Sequence, residues 1–374
     1  MTNEMQFSAV SKLERKNIPA LDGVRGIAAL IVVFYHLYLR HLAWMPDGAF
    51  GVLIFFVLSG FLITWLLLKE ADETGTVSLS SFYIRRSLRI FPAFYVCWFV
   101  TLATFRFTQS YIPWAECLST FFYVGDYYYP FHEAQKFMGF AWSLAVEEQF
   151  YLLWPFVFVV CRNRRITLGK GLCTVIFLTW IHRAILKFVV HVPEHYLSYA
   201  FDCHIDHLMV GALTAITLRS GWLRSFWTVV CRPVWAVLTI SLLSLSVHLA
   251  HREGHGYDHT LGYACDPVLI AILLVQLISL ETVIPFSWLN WPVSRFFGKI
   301  SYPLYLYHIY AIENASLIFP RAGWKFRVVA SLALSVVFAT TSYFLIEKPF
   351  LRLKGRFTGK QHATGEEPPR VAGV

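Results

Sequence analysis

Stretches of about 20 predominantly apolar residues recur along the whole chain, and that is the length needed to cross a hydrocarbon core of roughly 30 Å. No other feature constrains the fold as much. In lipid, every backbone polar group must be satisfied within the protein, so a spanning segment is a helix or part of a closed barrel. The runs here are continuous rather than alternating, which selects helices. Composition agrees. Of 374 residues, 57% are hydrophobic and only 15% are charged, whereas a soluble domain carries roughly 25% charged residues.

The expected class is an all-α integral membrane protein with about ten transmembrane helices. The spans are placed near 27–45, 49–68, 88–107, 138–161, 171–190, 203–219, 230–250, 261–280, 301–319 and 326–346. The apolar stretch 113–130 is too short to cross and contains Pro113, Gly125 and Pro130, so it is expected to be re-entrant or interfacial. Residues 1–20 are expected to form a polar cytoplasmic segment, 21–350 the membrane domain, and 351–374 a disordered cytoplasmic tail. The first 24 residues are polar and mixed in charge, which does not describe a cleavable signal peptide.

Charge distribution sets the orientation. With the N-terminus inside, Lys12, Arg15 and Lys16, then Arg85, Arg86 and Arg89, then Arg162, Arg164 and Arg165, and finally Lys348, Arg352 and Lys354 all fall on the cytoplasmic side. Counting 113–130 as a full span would put residues 162–165 outside and break that pattern. The net charge of +9 is thereby topological and calls for no nucleic-acid partner. The expected location is a bacterial-type inner membrane with both termini cytoplasmic. The seven cysteines are scattered and never spaced as CxxC, so neither a disulfide framework nor a zinc site is expected. Nothing in the sequence sets an oligomeric state.

Ionisable side chains inside spans are costly, on the order of 2.5–3.5 kcal/mol each, and so mark candidate sites. In LDGVRGIAALIVVFYHL, Arg25 and His36 lie 11 residues apart. That is close to three helical turns, so they share a face, separated by roughly 16 Å along the axis. Arg25 is expected at the cytoplasmic mouth and His36 near mid-membrane, where a neutral imidazole can take a proton from a hydroxyl. The alternative is a satisfied histidine between helices. In FYIRRSLRIFP, Arg86 and Arg89 share a face, and guanidinium groups pair bidentately with phosphates. Anchoring to anionic headgroups is the competing use. In AWSLAVEEQFYLLWP, Glu147 and Glu148 enter a span together and point about 100° apart. Either could orient His36, bind an acceptor, or pair with an intramembrane arginine. In SYPLYLYHIYAIE, His308, Glu313 and the tyrosines, Tyr305 among them, could line a polar cavity or bond between helices. The cluster Asp202, Cys203, His204, Asp206 and His207 fits no zinc pattern and is expected at a polar outer mouth. The stretch 251–259 reads as an ordinary outer loop.

Taken together these segments resemble the acyltransferase-3 family of polytopic membrane O-acyltransferases, over about Ile18 to Pro349. Arg25 and His36 fit the family's basic-residue and histidine motif, and Arg86 and Arg89 its RxxR motif. GVLIFFVLSGFLIT, with Ser59 and Gly60, looks like its second helix. SLAVEEQFYLLWP looks like its acidic helix, with Glu147 the better match. SYPLYLYHI and EKPF also match. One departure is His204, where members often carry an arginine. Some members have an extra esterase-like domain, and the chain resembles the stand-alone form. The resemblance implies an enzyme that moves an acyl group, acetyl by expectation, from acyl-CoA to a hydroxyl of a saccharide or glycoconjugate, without a metal. His36 would be the general base, assisted by Glu147. Arg25, Arg86 and Arg89 would hold the CoA phosphates. Ser59, Trp142 and Tyr305 are candidate oxyanion donors, and Glu148 and His308 candidate substrate contacts. Acylation of a macrolide-type product, or proton-coupled transport without acyl transfer, are the rival expectations.

Overall fold

The computed structural model describes residues 9–15, 18–37, 45–108, 111–132, 137–284 and 286–353, and among these there is no β-strand. Ten long helices carry the architecture: α1 Pro19–His36, α2 Gly48–Thr74, α3 Leu79–Phe107, α4 Trp142–Cys161, α5 Arg165–Ile185, α6 Phe201–Ser220, α7 Pro233–Glu253, α8 Tyr263–Ser279, α9 Ser301–Ile318 and α10 Trp324–Ser342. Their ends follow local chemistry. Pro19 opens α1 after an extended Ile18, where its missing N–H costs nothing. The Asp47 side chain caps α2 by accepting from the Ala49 amide, and α2 stops at Gly75 with φ +72°.

Eight helical segments among the described residues are long and apolar enough to cross a membrane. α6 and α9 fall outside that group because their compositions are polar. α6 carries Asp202, His204, Asp206 and His207, and α9 carries His308, Glu313 and four tyrosines. Both are shielded from lipid by protein. α6 packs along α2, and α9 packs against α1 and α10. The axial helix is α2, whose apolar window is 72% buried, whereas that of the peripheral α5 is only 17% buried. The outer helices show lipid-facing side chains such as Phe99, Val160, Phe177 and Val237.

The α2–α6 crossing depends on two glycines. A Cβ on Gly60 would sit 1.9 Å from the Leu208 carbonyl oxygen, and one on Gly211 would sit 2.0 Å from that of Val57. Small residues allow such backbone approach, and dispersion then replaces the hydrophobic drive that lipid cannot supply.

The segment after α3 does not cross. Its helices, Trp114–Phe121 and Gly125–Tyr128, are 8 and 4 residues long. They fold back on the ends of α3 and α4: Trp98 donates to the Cys117 carbonyl and Gln149 to Asp126. The interfacial expectation for 113–130 agrees with this geometry. Burial lifts the Asp126 carboxyl to about 7, and its Oδ2 has no hydrogen-bond partner among the described residues.

At the other face, carboxylates and basic side chains knit the helix ends together. Arg219 pairs with Glu14 and Asp72, Arg165 with Asp72, Lys69 with Glu14, and Arg15 with Glu281. This basic face joins the 9–15 segment to the ends of α2, α5, α6 and α8, as alternating spans require. Residues 348–353 are still helical, and the rest of the expected tail lies outside the described residues.

Candidate active site

Arg25 lies in the second turn of α1, and His36 is its last residue. The helix begins at Pro19 rather than near residue 27. The apolar run that suggested a longer helix continues into residues 38–44, which lie outside the described residues. His36 Nδ1 lies 2.9 Å from the Val32 carbonyl oxygen. A carbonyl can only accept, so Nδ1 donates and Nε2 is the basic nitrogen of the neutral ring. The ring is 5.0 Å from that of His308. His308 is fully buried and donates from Nδ1 to the Tyr305 carbonyl at 2.6 Å, and its Nε2 has no hydrogen-bond partner among the described residues.

His36 lines a cavity of about 420 Å³ that opens away from the basic face, with Trp142, Tyr35, Tyr263 and Tyr305 in its walls. Trp142 is fixed edge-on against Phe56, with centroids 6.0 Å apart. A second cavity, of about 180 Å³, lies toward the basic face and is lined by Arg25, Arg86, Arg89, Glu147, Glu148 and Ser59. Val52 and Tyr305 line both cavities. The Tyr305 hydroxyl donates to the Phe140 carbonyl at 2.8 Å and accepts from Ser143 at 2.5 Å. A hydrogen-bonded tyrosine therefore forms the partition between the two spaces.

The arginine cavity is short of counter-charge at close range. No carboxylate lies within 4.0 Å of Arg25, Arg86 or Arg89 among the described residues. Arg85, one position away, points elsewhere and pairs with Glu70 at 2.8 Å. Arg86 lies over the Tyr151 ring at 4.1 Å, and its buried Nε has no hydrogen-bond partner. Half-buried cations without a close anion favour an anionic ligand.

Glu147 does not reach His36. It accepts from Ser59 at 3.0 Å and from Tyr151 at 2.9 Å, inside the arginine cavity. The Val32 carbonyl accepts from the imidazole Nδ1. The expectation that Glu147 orients His36 is therefore not met in this geometry: one turn of α4 faces the arginines, not the end of α1. Glu148 lines the same cavity. Of the three candidate oxyanion donors, Ser59 is committed to Glu147, Trp142 stays in the His36 cavity, and only Tyr305 touches both spaces.

Two features were missed from sequence. Arg183, in the last turn of α5, is fully buried and pairs with Asp206 on α6 through two contacts of 3.2 and 3.1 Å. An arginine in an apolar run was the available signal. His204 and His207 donate from Nε2 to the Ser198 and Tyr263 carbonyls, which tie α6 to its neighbours. Among the described residues there is no group able to hold a metal ion. The second miss is 251–259. It is not a loop: α7 runs to Glu253 and helical turns resume at His255, so His251, His255 and Asp258 line the His36 cavity.

A family model described as an acyltransferase domain matches residues 18–346. The chain belongs to the acyltransferase-3 family. It is similar to a protein of Staphylococcus aureus (strain COL) provisionally named an O-acetyltransferase, at 30% identity over 94% of this chain and 59% of the relative. It is similar to the peptidoglycan O-acetyltransferase OatA of Listeria monocytogenes, at 29% identity over 91% of this chain and 56% of that protein. A Bacillus subtilis (strain 168) protein, provisionally named a peptidoglycan O-acetyltransferase, matches at 29% over 90% and 55%. The chain thus spans less than three fifths of the length of these curated relatives. No solved structure matches it. Family membership and the fold make it a multi-pass membrane protein of an acyltransferase family.

Proposed function

We propose that this chain is an O-acyltransferase that takes an acyl group, acetyl first, from acyl-CoA on the basic face and delivers it to a hydroxyl of a saccharide or glycoconjugate held in the His36 cavity. The carrying observation is that a histidine-lined and an arginine-lined cavity share Tyr305 and Val52 as their common wall. The pyrophosphate and 3′-phosphate of CoA would meet Arg25, Arg86 and Arg89, which line one cavity. The pantetheine arm would run past Tyr305 and bring the thioester toward His36.

At that point His36 Nε2 takes the proton of the acceptor hydroxyl as its oxygen attacks the thioester carbonyl. The new C–O bond forms, the C–S bond breaks, and the imidazolium returns its proton to the leaving CoA thiolate. A donor must stabilise the oxyanion formed in between; Tyr305, which lines both cavities, would do so by turning its single O–H from the Phe140 carbonyl to the oxyanion. The orientation that suits this chemistry puts the basic face in the cytoplasm of a bacterial inner membrane, where acyl-CoA is made.

The test is to incubate purified protein with labelled acetyl-CoA and an oligosaccharide panel, comparing wild type with His36→Ala. Acylated saccharide from wild type, and its loss in the variant, is the expected result. Uptake of an unmodified solute with no acyl product from any acceptor would replace the enzyme by a transporter.

A further inference from the structure

The walls of the His36 cavity carry a chemical bias that the motifs do not announce. Four carboxylates, Asp47, Asp258, Asp266 and Glu313, line it, and no lysine or arginine does among the described residues. They arrive from three separate elements: the cap of α2, the turns opening α8, and α9. None of the four has a basic side chain within ion-pair distance among the described residues. Asp266 is only 8% exposed, and its Oδ1 has no hydrogen-bond partner. The nearest ammonium, Lys187, donates instead to the His255 and Gly256 carbonyls.

Uncompensated carboxylates in a confined, partly dry space repel anions and gain most from a cation that also donates hydrogen bonds. A volume of about 420 Å³ is within the range of small-molecule sites. Resting on the reading of this cavity as the acceptor site, we infer that the acceptor is a polyhydroxylated molecule bearing an ammonium group, such as an amino sugar with a free amine. Asp266 would be its specificity-determining contact. Acceptors carrying carboxylates or phosphates next to the reacting hydroxyl would be excluded.

The probes are three tetrasaccharides: the glucosamine tetramer, its fully N-acetylated counterpart, and tetragalacturonate. Binding to the purified full chain in detergent is measured by calorimetry, so that the readout does not depend on acyl transfer. The expected order is amine tighter than neutral by about tenfold, one charge-assisted hydrogen bond's worth, with no measurable galacturonate binding. Asp266→Asn should remove that tenfold advantage while leaving the neutral affinity in place, and added salt should act in the same direction. Equal affinities for the amine and neutral forms, or tighter binding of galacturonate, would overturn the inference on wild type alone, whether or not Asp266→Asn folds. His36→Ala should keep the amine preference. If that preference holds and no saccharide is ever acylated, the proposed function fails and only the cavity's selectivity for an ammonium-bearing saccharide stands. If transfer occurs but favours acidic acceptors, only the inference fails.

Discussion

At the scale of single residues, the arrangement around His36 explains how a helix end can prepare a base. The Val32 carbonyl holds Nδ1–H, so Nε2 is the nitrogen left for chemistry. If His36 is the general base proposed, removing its ring removes general-base catalysis, which contributes about 10²–10⁴-fold. His36→Ala is therefore expected to lower kcat by that factor while the melting temperature in detergent stays within a few degrees. A variant that loses stability as well as rate would point to a packing role. Asp126 gives a second residue-scale prediction, and here the sign can be worked out. Burial raises its folded value to about 7 from an ordinary 3.8. The fold prefers the protonated form, so this contribution is fully present below about 4 and is lost as pH rises through 7. Wild type should thus melt at lower temperature at pH 8 than at pH 5, and Asp126→Asn should flatten that difference. Parallel melting curves for the two proteins across this range would rule out Asp126 as the source.

At the scale of helices, what the sequence revealed depended on the range of the interaction. Arg86 and Arg89 share a face because they are three residues apart on one helix, and both do line one cavity. Polar runs at helix ends were harder, since a cavity wall and a loop look alike in hydropathy; residues 251–259 were misread for that reason. The end of α1 at His36 carries no hydropathy signal either, because apolar composition continues past it. The pairings between distant segments, Arg183 with Asp206 and Gly60 against Leu208, carry no local signal. Both pairings nonetheless lead to measurable expectations. Gly211→Leu must separate α2 from α6, because its side chain would begin inside the Val57 carbonyl. Such a clash costs at least about 1–3 kcal/mol and should lower the melting temperature or abolish folded expression, whereas Gly171→Ala, with nothing within 4 Å, should not. Asp206→Ala strands a buried guanidinium and should cost about 3–5 kcal/mol. Arg183→Met combined with Asp206→Leu should recover much of that loss in the same melting assay. Failure of the double variant to recover would show that the Asp206 bond to Trp180, at 2.9 Å, matters more than the ion pair.

At the scale of the whole molecule, two cavities of opposite character meet at one hydrogen-bonded tyrosine. Under the proposed function, this layout would let a donor and an acceptor react without either crossing the membrane. It also separates the arginines of the basic face into two populations. Arg165 and Arg219 are already paired with Asp72 and Glu14, so a phosphate would have to displace those carboxylates. Arg25, Arg86 and Arg89 have no such close partner, which makes them the better phosphate site. The consequence is testable with a truncated donor. Acetyl-pantetheine keeps the thioester and arm of acetyl-CoA but lacks every phosphate. A hydrogen bond to a charged group contributes about 1.5–3 kcal/mol, so wild type should use acetyl-CoA at least tenfold better in kcat/KM. In Arg89→Gln, and further in Arg86→Gln with Arg89→Gln, the two donors should converge, because acetyl-CoA loses efficiency and acetyl-pantetheine does not. The same convergence should follow raised salt in wild type. Should Arg165→Gln instead erase the preference while Arg89→Gln leaves it intact, the phosphates sit on the surface network, and the arginine cavity must be given another occupant.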